Sequence, residues 1–588
     1  MAGLSEMGRF GLGPSRRATL VHLDDEAAEL ARLAARAAGA VALAVFVILV
    51  WQQGIPRSIQ PRQWEILSQL AVLAFVSFGY IFAYRWELVG ALAMLSGSVL
   101  LGTLASIAYA PDDALYGCLA FAVPGLLFLL HWQRSHSPLA VASVVVGVAA
   151  LLIFGRVASA HVYDYYYGPT HPTSQAADIP VDLVDWIWAG GVTPEGFVVK
   201  ARLASDEIVP LSLSVVPANV PDGTVRMVEG QLSGPADETV SFTVSGLQPD
   251  TEYRYSVQSG NHVDAGRVGT LRTFPAGPRS FTVALGACIR TGSNGQVFDR
   301  ILAMDPSLFL ITGDFHYEDV SSNDPDRMRA AFERNLEQPG QQRLYLNVPI
   351  TYVWDDHDFG GNDSSAVADS RFASRDVYAD YVPHYPLLQS GPVAISQAFT
   401  LGRVRFIMLD TRSGRTPDNM PDGPDKTMLG SSQLEWFKSE LMLANGEFPL
   451  IVVVSSVPWI SEATDGGDDW GGFATERREI ANFISDNDIN GVVLFGGDAH
   501  MLAIDDGTNS DYSADGDAAL PVFQAGALDR RGTAKGGPYS EGEYPGGGQF
   551  GVMTVIDTGG PTITVQWTGL NWKGQTVVSH TFETAANP

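Results

Sequence analysis

The sequence predicts a multi-domain chain: a bundle of five membrane-spanning helices, a small β-sandwich, and an α/β domain of two packed sheets flanked by helices. Three observations predict it. Charge and hydropathy are partitioned, since residues 1–157 hold ten Arg, no Lys and nine acidic residues (net +1), whereas 158–588 hold 27 Lys and Arg against 56 Asp and Glu (net −29). From about residue 185, short alternating strands recur between Gly, Pro and Asp turns. From residue 280, β-branched apolar runs alternate with longer segments of helical character, the pattern of buried strands in an α/β domain.

The first 157 residues contain five apolar stretches, at about 37–51, 64–84, 88–110, 114–132 and 139–157. Four have the length of roughly 20 residues that a helix needs to cross a bilayer. The first is short, and lengthens if the Ala-rich stretch before it is helical and Arg36 snorkels to the interface. No small-residue cleavage site follows it, and further spans come after, so a removable signal peptide does not fit. Arginines set the orientation. Seven (Arg9, Arg16, Arg17, Arg32, Arg36, Arg85 and Arg134) lie in the tail and even connections, against Arg57 and Arg62 in the first connection. The expected topology is therefore an integral plasma-membrane protein with a cytoplasmic tail (1–36), a helix bundle (37–157) and an extracytoplasmic remainder. The spans hold almost no ionisable residue away from their ends, which suits an anchor. Ser98, Gly102 and Ser106, four apart, form a small-residue stripe fit for helix packing.

Residues 158–182, rich in Tyr, Pro and Thr without a period, read as an interfacial aromatic belt and extended stalk. Residues 183–276 read as the sandwich. Within it Leu247-Gln-Pro-Asp-Thr-Glu-Tyr253 resembles the tyrosine corner of fibronectin type III domains, where the Tyr hydroxyl bonds back to the chain.

Residues 280–588 carry the chemistry, because of what ends each apolar run. FTVALGA ends at Cys288. SLFLITG ends at Asp314, with Tyr317 three residues on. VPITYVW ends at Asp355, Asp356 and His357, and GVVLFGG at Asp498, with His500 two residues on. In open α/β folds ligands bind at the carboxyl ends of strands. Four strands thus bring thiol, carboxylate, phenol and imidazole groups to one edge. Taken singly, Cys288 reads as a small buried hydrophobe and His500 as a core histidine. WDDHDFGGND, with five ionisable groups in ten residues, makes a poor core. If the acids converge, mutual repulsion disfavours their charged forms unless multivalent cations are bound, which points to a two-metal site. The strongly acidic chain argues against nucleic-acid binding. Two cysteines, Cys118 and Cys288, exclude a disulfide framework.

GDFHY (313–317), WDDHD (354–358) and GGDAH (496–500), preceded by Cys288, resemble the calcineurin-like metallophosphoesterases, above all the alkaline phosphatase D (PhoD-like) family, akin to purple acid phosphatases. FIMLDTRSGR (406–415) looks like a further family segment, and the likeness runs from about Asp185 to the C-terminus, leaving the helical anchor outside it. The resemblance implies a metallophosphatase fold and hydrolysis of phosphate mono- or diesters by in-line attack of a metal-held hydroxide. It implies Fe(3+) held by Cys288, Asp314, Tyr317 and His500. A second cation falls to Asp314, Asp356 and Asp498, with Asn362 as a further ligand. His357 lies near the leaving group. Carboxylates where relatives carry neutral nitrogen ligands favour Ca(2+) at the second position. Two residues have two readings each: Arg290 as a phosphate-binding fork or a solvated loop residue, His316 as an orienting neighbour of a ligand or a solvated loop residue. The rival from another class is a catalytically inactive membrane-anchored receptor or adhesion ectodomain, against which the intact donor set speaks.

Overall fold

The computed structural model describes residues 27, 29–41, 63–105, 111–133, 136–167, 173–204, 210–219, 224–233, 238–388 and 394–585. The chain divides into two compact units, Met1–Tyr166 and Tyr167–Pro588.

In the first unit, residues 29–41 are helical and are followed by helices Gln63–Ala83, Glu87–Ala105, Pro111–Trp132 and Pro138–Tyr167. The expected first span lies mostly outside the described residues. Helix Glu87–Ala105 packs between Gln63–Ala83 and Pro111–Trp132. Polar ties close one end of the unit: Glu87 meets Arg32 Nε at 3.2 Å and His131 Nδ1 at 2.6 Å. Ser98 is buried and its hydroxyl donates to Met94 O, while Ser106 lies outside the described residues. The five-span bundle is not supported. Among the described residues, only Glu87–Leu104 and Pro138–Ser159 are long and apolar enough to cross a bilayer. Within helices Gln63–Ala83 and Pro111–Trp132 the apolar segments among the described residues are shorter, Ala74–Ala83 and Ala122–Trp132. The last helix continues to Tyr167, so the expected stalk begins as helix.

The second unit is built on a ten-stranded and a seven-stranded sheet, with a four-stranded sheet beside them. In the first, strands Phe281–Gly286, Leu308–Thr312 and Ile350–Val353 run parallel and in register, Ala284 and Ile350 both opposite Phe309. In the second, Val404–Met408, Leu450–Ser455 and Val492–Gly496 run parallel. These are the β-branched runs of the sequence. Their alternation explains the layering, because successive side chains on a strand face opposite ways. Phe406, Val452, Val454 and Phe495 join the core shared with the ten-stranded sheet. Ile407, Ile451, Val453 and Leu494 join a second core with helices Ser431–Ala444 and Ala474–Asp486. Trp567 is fully buried in the shared core, stacked on Phe523 at 4.8 Å and against Phe495 at 5.5 Å. Trp567→Ala should cost about 3–5 kcal/mol in urea unfolding; a loss under about 1 kcal/mol would mean the two sheets are not packed through this ring.

The strands expected to form the sandwich lie in two sheets, one of which is continuous with the ten-stranded sheet. Val184–Thr193, Gly196–Leu203, Gln231–Ser233 and Thr239–Val244 extend the ten-stranded sheet, joined to it where Gly190 pairs with Ile350. Arg226–Glu229, Ser212–Pro217, Glu252–Ser259 and His262–Arg272 form the four-stranded sheet. Nothing local distinguishes a strand that ends a sandwich from one that continues a larger sheet. The tyrosine corner is present, with the Tyr253 hydroxyl accepting from Gln248 N at 3.0 Å. At the other edge, the Gly559–Gly560 turn joins Gln549–Ile556 to Thr562–Asn571, which extend the sheet beyond Phe281–Gly286.

Candidate metal centre

The two main sheets bring their strand ends into contact. A Cβ on Gly497 would lie 2.1 Å from Thr312 O and 2.8 Å from Ser456 O, so only glycine lets these ends meet. Around this point Cys288, Asp314 and Asp498 all adopt left-handed backbone, with φ of 63°, 54° and 60°. That conformation costs an L-residue roughly 1–3 kcal/mol, and such strain collects at functional sites. It turns each side chain off the end of its strand into one pocket.

Three groups of donor atoms, each within 4.8 Å, result: Cys288, Asp314 and His500; Asp314, Asp356 and His357; and Asp356, Asp363 and Asp468. Asp314 is common to the first two groups and Asp356 to the last two. In the first, Cys288 Sγ lies 3.6 Å from Asp314 Oδ2, while the Tyr317 hydroxyl donates to that oxygen at 2.7 Å and lies 3.1 Å from His500 Nε2. His500 Nδ1 faces Arg531 O at 2.9 Å, which directs Nε2 to the pocket. Asp314 Oδ1 is buried with no hydrogen-bond partner. Asp356 opens the short helix Asp356–Phe359, and its two oxygens accept from His357 N at 2.8 Å and Asp363 N at 2.7 Å.

Behind this edge lies a buried ion network. Arg412, fully buried, donates to Asp355 Oδ1 at 2.6 Å and to Asp468 at 2.7 and 3.0 Å, and Arg415 reaches Asp468 at 2.7 Å. His357 Nδ1 pairs with Asp319, and its ring lies 4.1 Å from that of Tyr317. Arg530 stacks over the Tyr317 ring at 3.8 Å.

The electrostatics test whether these residues suit cations. Burial, then the Asp356 charge, pushes Asp314 up to about 8. Burial also pushes Asp498 up to about 6 against the pull of Lys535. Burial, then Asp314, raises the Cys288 thiol and the Tyr317 phenol well above their ordinary values, and burial, then Lys535, drives His500 well below its own. For His357 burial opposes the charge, yet the Asp319 hydrogen bond and the Asp314 and Asp356 charges push it up to about 10. Carboxyl, thiol and phenol groups sharing one pocket are thus disfavoured as anions. A bound multivalent cation reverses that, since it becomes the largest local charge and keeps its ligands deprotonated. The orphaned Asp314 oxygen and the S, O and N donors fit such an ion.

Of the residues singled out from the sequence, Cys288, Asp314, Tyr317, Asp356, His357 and His500 come together. Asn362 is exposed, as is its neighbour Asp363, which lies in the third donor group. Arg290 is 63% exposed, 3.8 Å from Asp529 at the rim. His316 is fully buried against Phe332, which removes the solvated reading; its N–H donates to Asp358 Oδ1 at 3.0 Å. Asp498 lies at the pocket but its Oδ1 is taken by Lys535. Sequence reasoning missed Asp319, Asp468 and Lys535, which come from loops with no strand to announce them, whereas Asp363 closes the WDDHDFGGND run without having been assigned a role. Arg412 and Arg415 sit in the FIMLDTRSGR segment, where that signal existed. Cys288 is a free buried thiol.

Residues 283–538 match the family described as PhoD-like phosphatase. The strand-end motifs implied that family, though the match begins later than the likeness read from the sequence and leaves the strands from Val184 to Arg272 outside it. The chain is 25% identical over 311 residues to alkaline phosphatase D of Bacillus subtilis (strain 168), an alignment covering 45% of this chain. It spans about half of that relative, 53% of its length. A solved structure of PhoD superposes with a TM-score of 0.57 at 17% identity, covering 70% of this chain and 92% of that one, and so shares its fold. Residues 24–140 match a family described as a domain of unknown function (DUF7670).

Proposed function

We propose that the protein is a metal-dependent hydrolase of phosphate esters, phosphodiesters or phosphomonoesters, held at a membrane by its N-terminal helices. The observation that carries this is the chain of three donor groups linked through Asp314 and Asp356. The PhoD-like match over residues 283–538 supports it independently. Thiol, phenol and imidazole at Cys288, Tyr317 and His500, with Asp314, suit a transition metal, here Fe(3+). The carboxylates of Asp314, Asp356 and Asp363 suit a hard, oxygen-seeking ion, here Ca(2+), Asp468 being held by Arg412 and Arg415. Such ions would supply Lewis-acid polarisation of the phosphoryl oxygens and a nucleophile at neutral pH.

The chain's own residues do the rest. His357, fixed through Nδ1 by Asp319, holds a proton on Nε2 for the departing oxygen. Tyr317 and Arg530 stack at one wall and limit how a substrate enters. Arg290, exposed at the rim, offers its planar fork to a phosphate oxygen. Apolar helices Glu87–Leu104 and Pro138–Ser159 support membrane attachment, the second exposing Leu139, Val146, Ile153 and Phe154 where lipid would cover them. The arginine distribution supports a cytoplasmic tail and an extracytoplasmic catalytic domain in the plasma membrane.

The test is elemental analysis of the purified protein joined to a panel of phosphomonoesters and phosphodiesters. Stoichiometric iron with a second metal, and turnover of at least one ester class, are expected. His357→Ala should retain the metals and lose about 10²–10⁴-fold in kcat. Metal-free folded protein with no turnover would overturn the reading.

A further inference from the structure

The sequence assigns Asp498 to the second cation, yet among the described residues its side chain is in none of the three donor groups. Its nearest cation is part of the chain: Lys535 Nζ lies 2.5 Å from Asp498 Oδ1. Asp498 is 7% exposed and Lys535 40%, so the ammonium reaches inward from the rim to a buried carboxylate. The loop that delivers it is fixed on both sides. Thr533 N donates to His500 O at 3.0 Å, and Gly537 N to Ile460 O at 2.8 Å. Gly536 has φ +74° and a Cβ there would lie 2.3 Å from Ile460 O, so the chain can turn here only at glycine.

A charge count points the same way. Asp468 is matched by Arg412 and Arg415, and Asp355 by Arg412. With Asp498 matched by Lys535, the donor-group carboxylates that no lysine or arginine among the described residues approaches closer than 4.0 Å are Asp314, Asp356 and Asp363. An Asp498–Lys535 pair carries no net charge, which cancels the extra negative charge that an aspartate would otherwise bring to this position.

We propose that Lys535 is a built-in cation at Asp498, so that this carboxylate seats an ammonium and is withheld from the second metal ion. The inference rests on the metal-dependent reading above and narrows it. Lys535 acts as a positioning residue that sets how tightly the second ion is bound, by occupying one oxygen of a nearby donor and by repelling an ion that approaches it.

Calcium titration of the full-length, iron-loaded protein in detergent tests this, using Ca(2+) alone as the probe and calorimetry as the readout. Lys535→Met should tighten Ca(2+) binding by about 10-fold or more, within the range by which outer partners tune metal sites. Lys535→Arg, which keeps the charge, should bind as the unaltered protein does. Asp498→Asn combined with Lys535→Met, checked for folding by its thermal transition, should bind Ca(2+) within about 3-fold of the unaltered protein, since a neutral pair gives way to two neutral side chains and no ligand is lost. The proposal is overturned if this double variant weakens Ca(2+) by about 10-fold or more, or if Lys535→Met alone leaves it unchanged. Ester turnover is read on the same samples. Its absence with these Ca(2+) results intact would count against the hydrolase reading and leave the Lys535 assignment standing.

Discussion

Asp314→Ala should remove metal and phosphoesterase activity together while the protein stays folded. Asp314 is common to two donor groups, accepts the Tyr317 hydroxyl at 2.7 Å, and keeps its Oδ1 unbonded within the pocket. Loss of an outer partner of a metal site costs about 10–100-fold in affinity or activity. Loss of a residue shared by two sites should exceed that. The substitution also removes a buried carboxylate that burial and Asp356 hold up to about 8, so it relieves repulsion and should not unfold the chain. Metal content by elemental analysis, turnover of a chromogenic phosphodiester, and the thermal transition are the three measurements. Normal turnover by this variant would refute the scheme.

Arg412→Ala should instead destabilise the fold, by about 3–5 kcal/mol, because it strips Asp355 of its cation and leaves Asp468 to Arg415 alone. Arg412 is fully buried, with Asp355 Oδ1 at 2.6 Å and Asp468 oxygens at 2.7 and 3.0 Å. Asp355 Oδ2 has no partner of its own. The sign of the pH effect follows from Asp468. Burial pushes its carboxyl up, but Arg412 and Arg415 prevail and hold it well below the usual range. Its contribution is therefore complete above the unfolded value of about 4 and is lost as pH falls through the depressed folded value. Removing Arg412 should shift acid unfolding to higher pH as well as lower the denaturant midpoint. A loss under about 1 kcal/mol would mean the network is solvated and not buried.

How much of this was legible in the sequence depends on where a residue sits relative to a strand. Cys288, Asp314, Asp356 and Asp498 each close an apolar run, and a run of β-branched residues that ends in an ionisable group is visible without any coordinates. The left-handed backbone of Cys288, Asp314 and Asp498 follows from the same position, since the chain must leave the sheet there. Asp468 and Lys535 were hidden because irregular loops carry them, and no period in sequence says which loop residue turns inward. The same limit applies at larger scale. The strands from Val184 to Arg272 were recognisable as strands, but their division between two sheets is decided by long-range pairing such as Gly190 with Ile350. In the helical unit, helices Gln63–Ala83, Glu87–Ala105, Pro111–Trp132 and Pro138–Tyr167 fall on four of the apolar stretches legible in the sequence.

The central claim is that distant strand ends gather their donors around bound cations. Anomalous scattering from crystals of the protein, recorded at the iron edge and at a wavelength sensitive to calcium, tests it most directly. The account predicts an iron peak in coordination contact with Cys288, Asp314 and His500, and a second peak beside Asp356. Peaks confined to surface carboxylates, or an iron peak with no contact to Cys288, would contradict it.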